Sequence, residues 1–339
     1  MKEKSRLTEF DLIKHYFAIQ VDQNKGVVLG IGDDCAILDI PLGYQLAVTT
    51  DTLVADVHFF DDVDPYLLGY KSLAVNLSDL AAMGAEPKWF SLAITLPDVD
   101  LAWLSKYTQG LFDLAKQHNV SLVGGDTTKG PLSITISAKG IVKSGRFLTR
   151  SGALEGDLIV VSGNIGDGAI GLALKRKQIK LPLPLSFIES LQKTEPRCKL
   201  GLLLTNKKHK ASSCLDISDG LIQDLMHILT NSNCGASINI DQLPLSAPHQ
   251  AMLALDKIAA LDSAKYALFG GDDYELLFTI SKENFEHLTS LNTDTQLTVI
   301  GEITTSKRAK VIFESEQNNE IAQLLNKNRH QAGWDHFAI

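Results

Sequence analysis

Two periods of apolar and polar residues run through the chain, and they place most of its elements. Thr8 with Asp11 reads as a capping box, and Leu12, Ile13, Tyr16 and Phe17 give the helix after it an apolar face. Asp64-Pro65 is a cap with proline at the first helical position, predicting a helix from 65 to about 83 that stops at Gly84. Ser72, Asn76 and Asp79 share one face of that helix, and the rest is mostly Leu, Ala and Val. Such a narrow polar stripe needs partners. A further helix spans 100–118, and strand-like runs lie near 27–31, 46–50 and 120–123 and from Leu132 onward. Beyond the polar, glycine-bearing segment RFLTRSGALEGD, strands are predicted near 158–161, 212–216, 236–240, 274–280 and 297–301. Helices are predicted from Gly166, over 219–230 and between the last two strands. The expected fold is therefore two-domain α/β (α+β), divided into 1–148 and 149–339.

Six short segments carry acids, most of them beside glycine, and several follow directly on strand-like runs. These are Gly32-Asp33-Asp34, Thr49-Thr50-Asp51, Gly124-Gly125-Asp126, Asp216-Ile217-Ser218-Asp219-Gly220 and Gly270-Gly271-Asp272-Asp273, with Asn76 to Asp79 on the helix. Singly, each reads as an ordinary turn or cap. Together they read as carboxylates delivered to one sheet edge, where they would repel unless a cation joined them. Hard divalent ions suit such oxygen donors. The glycines are expected to let backbone N–H groups approach a phosphate.

Composition narrows the choice. The net charge of −8 speaks against a nucleic-acid binder. Four scattered cysteines without a C-x-x-C spacing fit a reducing cytoplasm, and no run is long enough for a membrane span. No G-x-x-x-x-G-K-[ST] or protein-kinase motif set is present. Gly166-x-Gly168-x-x-Gly171 matches a dinucleotide fingerprint, but its confirming acid should end a second strand, and the available Glu189 reads as helical. Close helix–strand packing is the competing account of those glycines.

As an ordered set, GIGDDCAIL, TTDTLVADVHF, NLSDLAAMGAEP, GGDTTKG, LTRSG, LDISDGL, GGDDYELLF and the final GWDHF resemble the thiamine-monophosphate kinase family, within the aminoimidazole-ribonucleotide-synthetase-like superfamily. The resemblance implies two α/β domains, a homodimer formed through the first, and ATP bound between domains. It implies Mg²⁺- and ATP-dependent phosphorylation of thiamine monophosphate to thiamine diphosphate, the last step in making that product, with no nucleic-acid or membrane partner. By the same resemblance Asp34, Thr49, Thr50, Asp51, Asp79, Asp126, Asp216 and Asp219 are Mg²⁺ ligands, with Asp51, Asp126 and Asp219 central to catalysis. Tyr107, Gly125, Asp126, Arg150 and Ser218 are nucleotide contacts, and His58, Asp272 and Trp334 contact thiamine monophosphate. The family more often carries Glu where this chain has Asp272. Arg150 or Lys129 would add positive charge near the phosphates. Two other readings are a non-catalytic Mg²⁺–nucleotide sensor, which a turnover assay separates, and a dinucleotide oxidoreductase, which NAD binding separates.

Overall fold

The computed structural model describes residues 9–18, 26–182, 184–291, 293–306 and 308–327. It divides into two compact units, Met1–Leu80 with Ala85–Gly145, and Ala81–Gly84 with Arg146–Ile339. The first carries α1 (Glu9–Leu12, continued by a π turn over Ile13–Phe17), β1 (Val27–Leu29), β2 (Ile37–Leu38), β3 (Tyr44–Val54), α2 (Pro65–Ala82), β4 (Glu86–Leu96), α3 (Leu101–Gln117), β5 (Ser121–Lys129) and β6 (Ser133–Lys143). The second carries β7 (Leu158–Ser162), α4 (Asp167–Lys175), α5 (Pro184–Gln192), α6 (Cys198–Leu204), β8 (Ser213–Asp216), α7 (Leu221–Ser232), β9 (Gly235–Asn239), α8 (Ala247–Ala254), α9 (Ala260–Phe269), β10 (Leu276–Ile280), α10 (Lys282–Thr289), β11 (Leu297–Thr304), β12 (Val311–Glu314) and α11 (Asn319–Lys327).

In the first unit a four-stranded sheet runs in the order β3-β6-β4-β5. Its alternation sorts the two faces. Ile134, Ile136 and Ala138 of β6 are buried, and Thr135, Ser137 and Lys139 lie on the other, more open face. Asp64 caps α2 by accepting from the Tyr66 N–H at 2.8 Å, and Asp100 caps α3 by accepting from the Ala102 and Trp103 N–H groups. The second unit is built on a six-stranded sheet, order β12-β9-β11-β7-β10-β8. Ile159, Val161, Leu215, Leu225, Leu229 and Leu277 lie in its buried core.

One expectation about placement changes. Thr49-Thr50-Asp51 and Gly124-Gly125-Asp126 do not end their strands. β3 pairs with β6 along its full length from Tyr44 to Val54, and β5 continues to Lys129 beside β4. Asp51 and Asp126 thus project from strand interiors, whereas Asp216 is the last residue of β8. Thr8, the expected helix cap, lies outside the described residues.

Candidate active site

The polar stripe of α2 finds its partners in the first unit. Thr49 Oγ1 donates to Asp79 Oδ2, the Asp51 N–H donates to Asn76 Oδ1 at 3.2 Å, and the Ser72 and Tyr107 hydroxyls meet at 3.1 Å. The strand alternation puts Thr49 and Asp51 on the face toward α2. Thr50 faces the other way, is exposed, and gives its hydroxyl proton to the Thr49 carbonyl, so its side chain does not join Thr49 and Asp51. Burial first, and the nearby Asp79 second, push the Asp51 carboxyl up to about 6. Two neighbouring carboxylates and a hydroxyl, all hard oxygen donors, fit a divalent cation that would relieve their repulsion. Among the described residues no three His, Cys, Asp or Glu side chains form a metal cage by themselves.

Tyr107, the expected nucleotide contact, lies on α3 in the first unit. It is fully buried, its ring stacks on Trp103 at 5.1 Å and its hydroxyl is bonded to Ser72.

A cavity of about 720 Å³ lies on the open side of the same sheet, and its lining includes Asp34, Ser91, Gly124, Gly125, Asp126 and Lys139. A Cβ on Gly124 would meet nothing within 4 Å, while one on Gly125 would strike the Leu92 carbonyl of β4. Gly124 therefore leaves open space, and Gly125 is needed for strand approach. His58 sits in the tight turn after β3, where its Nδ1 accepts the Val54 N–H at 3.0 Å. Lys129 is exposed and paired with Asp98 at 3.4 Å, an ordinary surface contact.

In the second unit, Asp216 is buried at the end of β8, and the turn after it is organised by a residue the motifs do not single out. The N–H groups of Ser218, Asp219 and Gly220 all donate to Asp224 Oδ2 at 3.1 Å. Burial, then Asp219, pushes the Asp224 carboxyl up to about 7 against the pull of those three amides. The Gly270–Tyr274 segment is stitched to this turn, because the Asp272 N–H donates to the Ser218 carbonyl at 3.0 Å and the Tyr274 N–H to the Ile217 carbonyl at 2.7 Å. Asp272 and Tyr274 have φ of 69° and 51°, a strained left-handed backbone for non-glycine residues. Two acids, half-buried Asp273 and buried Glu275, fasten the segment. Asp273 accepts from the Gly166 N–H with both oxygens, at 2.9 and 3.0 Å, and burial holds its carboxyl well above the usual range. Glu275 accepts from Arg197 Nε at 2.7 Å and from the Ser162 hydroxyl. A Cβ on Gly271 would strike the Ser218 carbonyl, so a side chain there would break the stitching. Arg150 is exposed, and Trp334 lies outside the described residues.

The dinucleotide reading loses its support in the same unit. A Cβ on Gly168 would press on the Asp272 backbone and one on Gly171 would strike the Phe187 carbonyl, so both glycines serve packing. Glu189, the acid that should end a strand, lies in helix α5.

The family model for the N-terminal domain of AIR synthase related proteins matches residues 32–142, and that for the C-terminal domain matches 155–314. The thiamine-monophosphate kinase of Haemophilus influenzae is 48% identical over 288 residues, which cover 83% of this chain and 84% of the relative. The crystal structure of thiamine-monophosphate kinase from Stenotrophomonas maltophilia superposes with a TM-score of 0.79 at 40% identity, covering 90% of this chain and 96% of that one. This chain belongs to the thiamine-monophosphate kinase family. Another solved relative, AaThiL complexed with AMPPCP and TMP, matches at TM-score 0.74 and 30% identity, covering 91% of this chain and 92% of its own.

Seen as a member of that family, the chain supports its motif acids with Asp224, Arg197 and Lys139, which lie outside the motifs, and with Asp273 and Glu275, which lie inside GGDDYELLF but are given no role there. Asp224 had a local signal, an acid in the first turn of the helix after Asp219. Arg197 and Lys139 had none, since their partners are set by tertiary structure.

Proposed function

We propose that this chain transfers the γ-phosphoryl group of ATP to thiamine monophosphate, giving thiamine diphosphate and ADP. The observation that carries the reading is the match to AaThiL complexed with AMPPCP and TMP, which runs through 91% of this chain. An oxygen of the acceptor's phosphate attacks the γ-phosphorus in line. The bond from that phosphorus to the β–γ bridging oxygen breaks, and ADP leaves with the electron pair. The nucleophile belongs to the substrate, so no side chain is phosphorylated, and catalysis is positioning plus charge stabilisation.

Mg²⁺, when bound, neutralises the charge of donor and acceptor phosphates. In the first unit Thr49, Asp51 and Asp79 would hold one ion on the α2 side, and Asp34, Thr50 and Asp126 another on the open face of the sheet. In the second unit Asp216 and Asp219 would do so, their turn held open by Asp224. Tyr107, Gly125, Asp126, Arg150 and Ser218 are the proposed nucleotide contacts, and His58, Asp272 and Trp334 the proposed contacts to thiamine monophosphate. Asp272 is one methylene shorter than the family's usual Glu, and its left-handed backbone sets the direction of the shorter side chain.

We also assign a homodimer and a cytoplasmic location, where ATP is available. The dimer is supported by edge strand β3, which exposes Leu46 at 42% and Val48 at 58%. Among the described residues no helix is long and apolar enough to cross a membrane.

The test is purified protein with ATP, MgCl₂ and thiamine monophosphate, with thiamine diphosphate followed by chromatography beside an EDTA control. Magnesium-dependent product is expected. A folded protein that binds ATP and forms no product would sink the kinase reading in favour of a sensor.

A further inference from the structure

Lys139 is the charged residue of the cavity that neither the motifs nor the proposed ligand set uses. It projects from the open face of β6, half-buried, and its Nζ donates to Ser91 Oγ at 2.7 Å and to the Ser137 carbonyl at 2.8 Å. An ammonium has three protons to donate, and these two bonds use two of them. Both acceptors are neutral, and among the described residues Lys139 has no ion pair with a carboxylate. Burial lowers its pKa without any opposing acid. A half-buried cation without a counter-charge is costly unless a ligand supplies one.

The sheet register shows where that ligand would lie. In backbone pairing Lys139 stands opposite Trp89, but its ammonium reaches forward to Ser91, whose partner on β5 is Gly124. The side chain therefore leans across β4 toward Gly124-Gly125-Asp126, and it shares the cavity with Asp34 and Asp126. A ligand serving this cavity must satisfy an ammonium and, through a cation, carboxylates. That demands several anionic oxygens spread along one molecule, which is the chemistry of a polyphosphate.

We propose that Lys139 is a binding residue for the polyphosphate tail of the nucleotide, held ready by Ser91. The identity of the polyphosphate rests on the kinase reading, and the anion subsite itself does not. Titration calorimetry on the full chain with AMPPCP in MgCl₂, with adenosine and with thiamine monophosphate tests it. Lys139→Met should bind AMPPCP about tenfold or more weakly, as expected for losing a charge-assisted bond, with adenosine and thiamine monophosphate unchanged. Lys139→Arg, which keeps the charge, should stay within about threefold of the parent. A Met variant that binds AMPPCP as the parent does, or an Arg variant as weak as Met, overturns the assignment. A second measurement needs no variant. AMPPCP, but not adenosine, should slow labelling of Lys139 by an amine reagent, read by peptide mass spectrometry, and equal labelling rates would also overturn it. A parent protein that makes no thiamine diphosphate yet shows this protection would remove the kinase reading and leave the anion subsite standing.

Discussion

The Thr49 hydroxyl donates its proton to the Asp79 carboxylate, tying the middle of β3 to the last turn of α2. Asp51 lies beside this contact, and burial and Asp79 both disfavour its charge. The metal-free fold therefore carries a repulsion that a cation relieves. Asp51→Asn removes one charge and leaves the Asn76 bond, which uses the backbone N–H of residue 51. The variant should melt at the same or a higher temperature than the parent in EDTA. Its turnover should fall by about 100-fold or more, or about 2.7 kcal/mol of transition-state stabilisation. An Asn variant with parental turnover would remove Asp51 from the proposed metal set.

The α2 half of this relationship was legible in the sequence, and the β3 half was not. Asp64-Pro65, the apolar background and Gly84 fix the helix locally, and the stripe Ser72, Asn76 and Asp79 announces that partners exist. Which partners depends on strand pairing over long separations, and Thr49 lies thirty residues from Asp79. Strand extent is also non-local, which is why Asp51 read as a strand end although β6 extends the pairing to Val54. Lys139 in an alternating strand reads as a solvated residue until the register brings its ammonium to Ser91. In the second unit, α6, α8, α9, β12 and α11 escaped prediction; α9, β12 and α11 pack into the core around the sheet and α8 into a cluster with Ile170 and Phe187, contacts that leave little local signal.

Arg197 and Glu275 form a forked pair under the Asp272 segment, with Glu275 almost fully buried and Arg197 three-quarters so. Removing the guanidinium leaves a buried carboxylate with the Ser162 hydroxyl as its one remaining side-chain donor among the described residues. Arg197→Met should lower unfolding free energy by about 3 kcal/mol, the low end for breaking a buried pair because the Arg side is part-exposed. Urea titration measures this. Glu275 directly follows Tyr274 and the segment in which Asp272 and Tyr274 are left-handed, so KM for thiamine monophosphate should rise more than KM for ATP in Arg197→Lys. A variant of parental stability would show that the pair is not the tether.

Gly171 separates packing from dinucleotide binding. An alanine methyl there meets the Phe187 carbonyl where α5 crosses α4. Gly171→Ala should cost about 1–3 kcal/mol by overpacking. NAD should protect neither parent nor variant in a thermal melt. A melting temperature raised by NAD in the parent, and lost in the variant, would restore the fingerprint reading.

His209 gives the second unit a pH dependence of known sign. It is only 6% exposed, and its Nε2 has no hydrogen-bond partner among the described residues. Burial first, and the neighbouring charges of His287 and Lys208 after it, lower its pKa from 6.5, with a smaller opposing pull from the Leu203 backbone. The folded chain therefore prefers the neutral ring, while the unfolded chain takes up a proton once the pH falls below the ordinary histidine value. Its contribution to stability is intact above that value and declines as the pH drops from there through the lowered folded value, because the unfolded state binds more protons in that window. His209→Gln cannot gain that charge. Urea midpoints from about pH 8 to about pH 5 should fall more steeply in the parent than in the variant, with carboxylates and the other histidines common to both and cancelling in the difference. Parallel curves would mean that His209 is protonated as easily in the fold as in the unfolded chain.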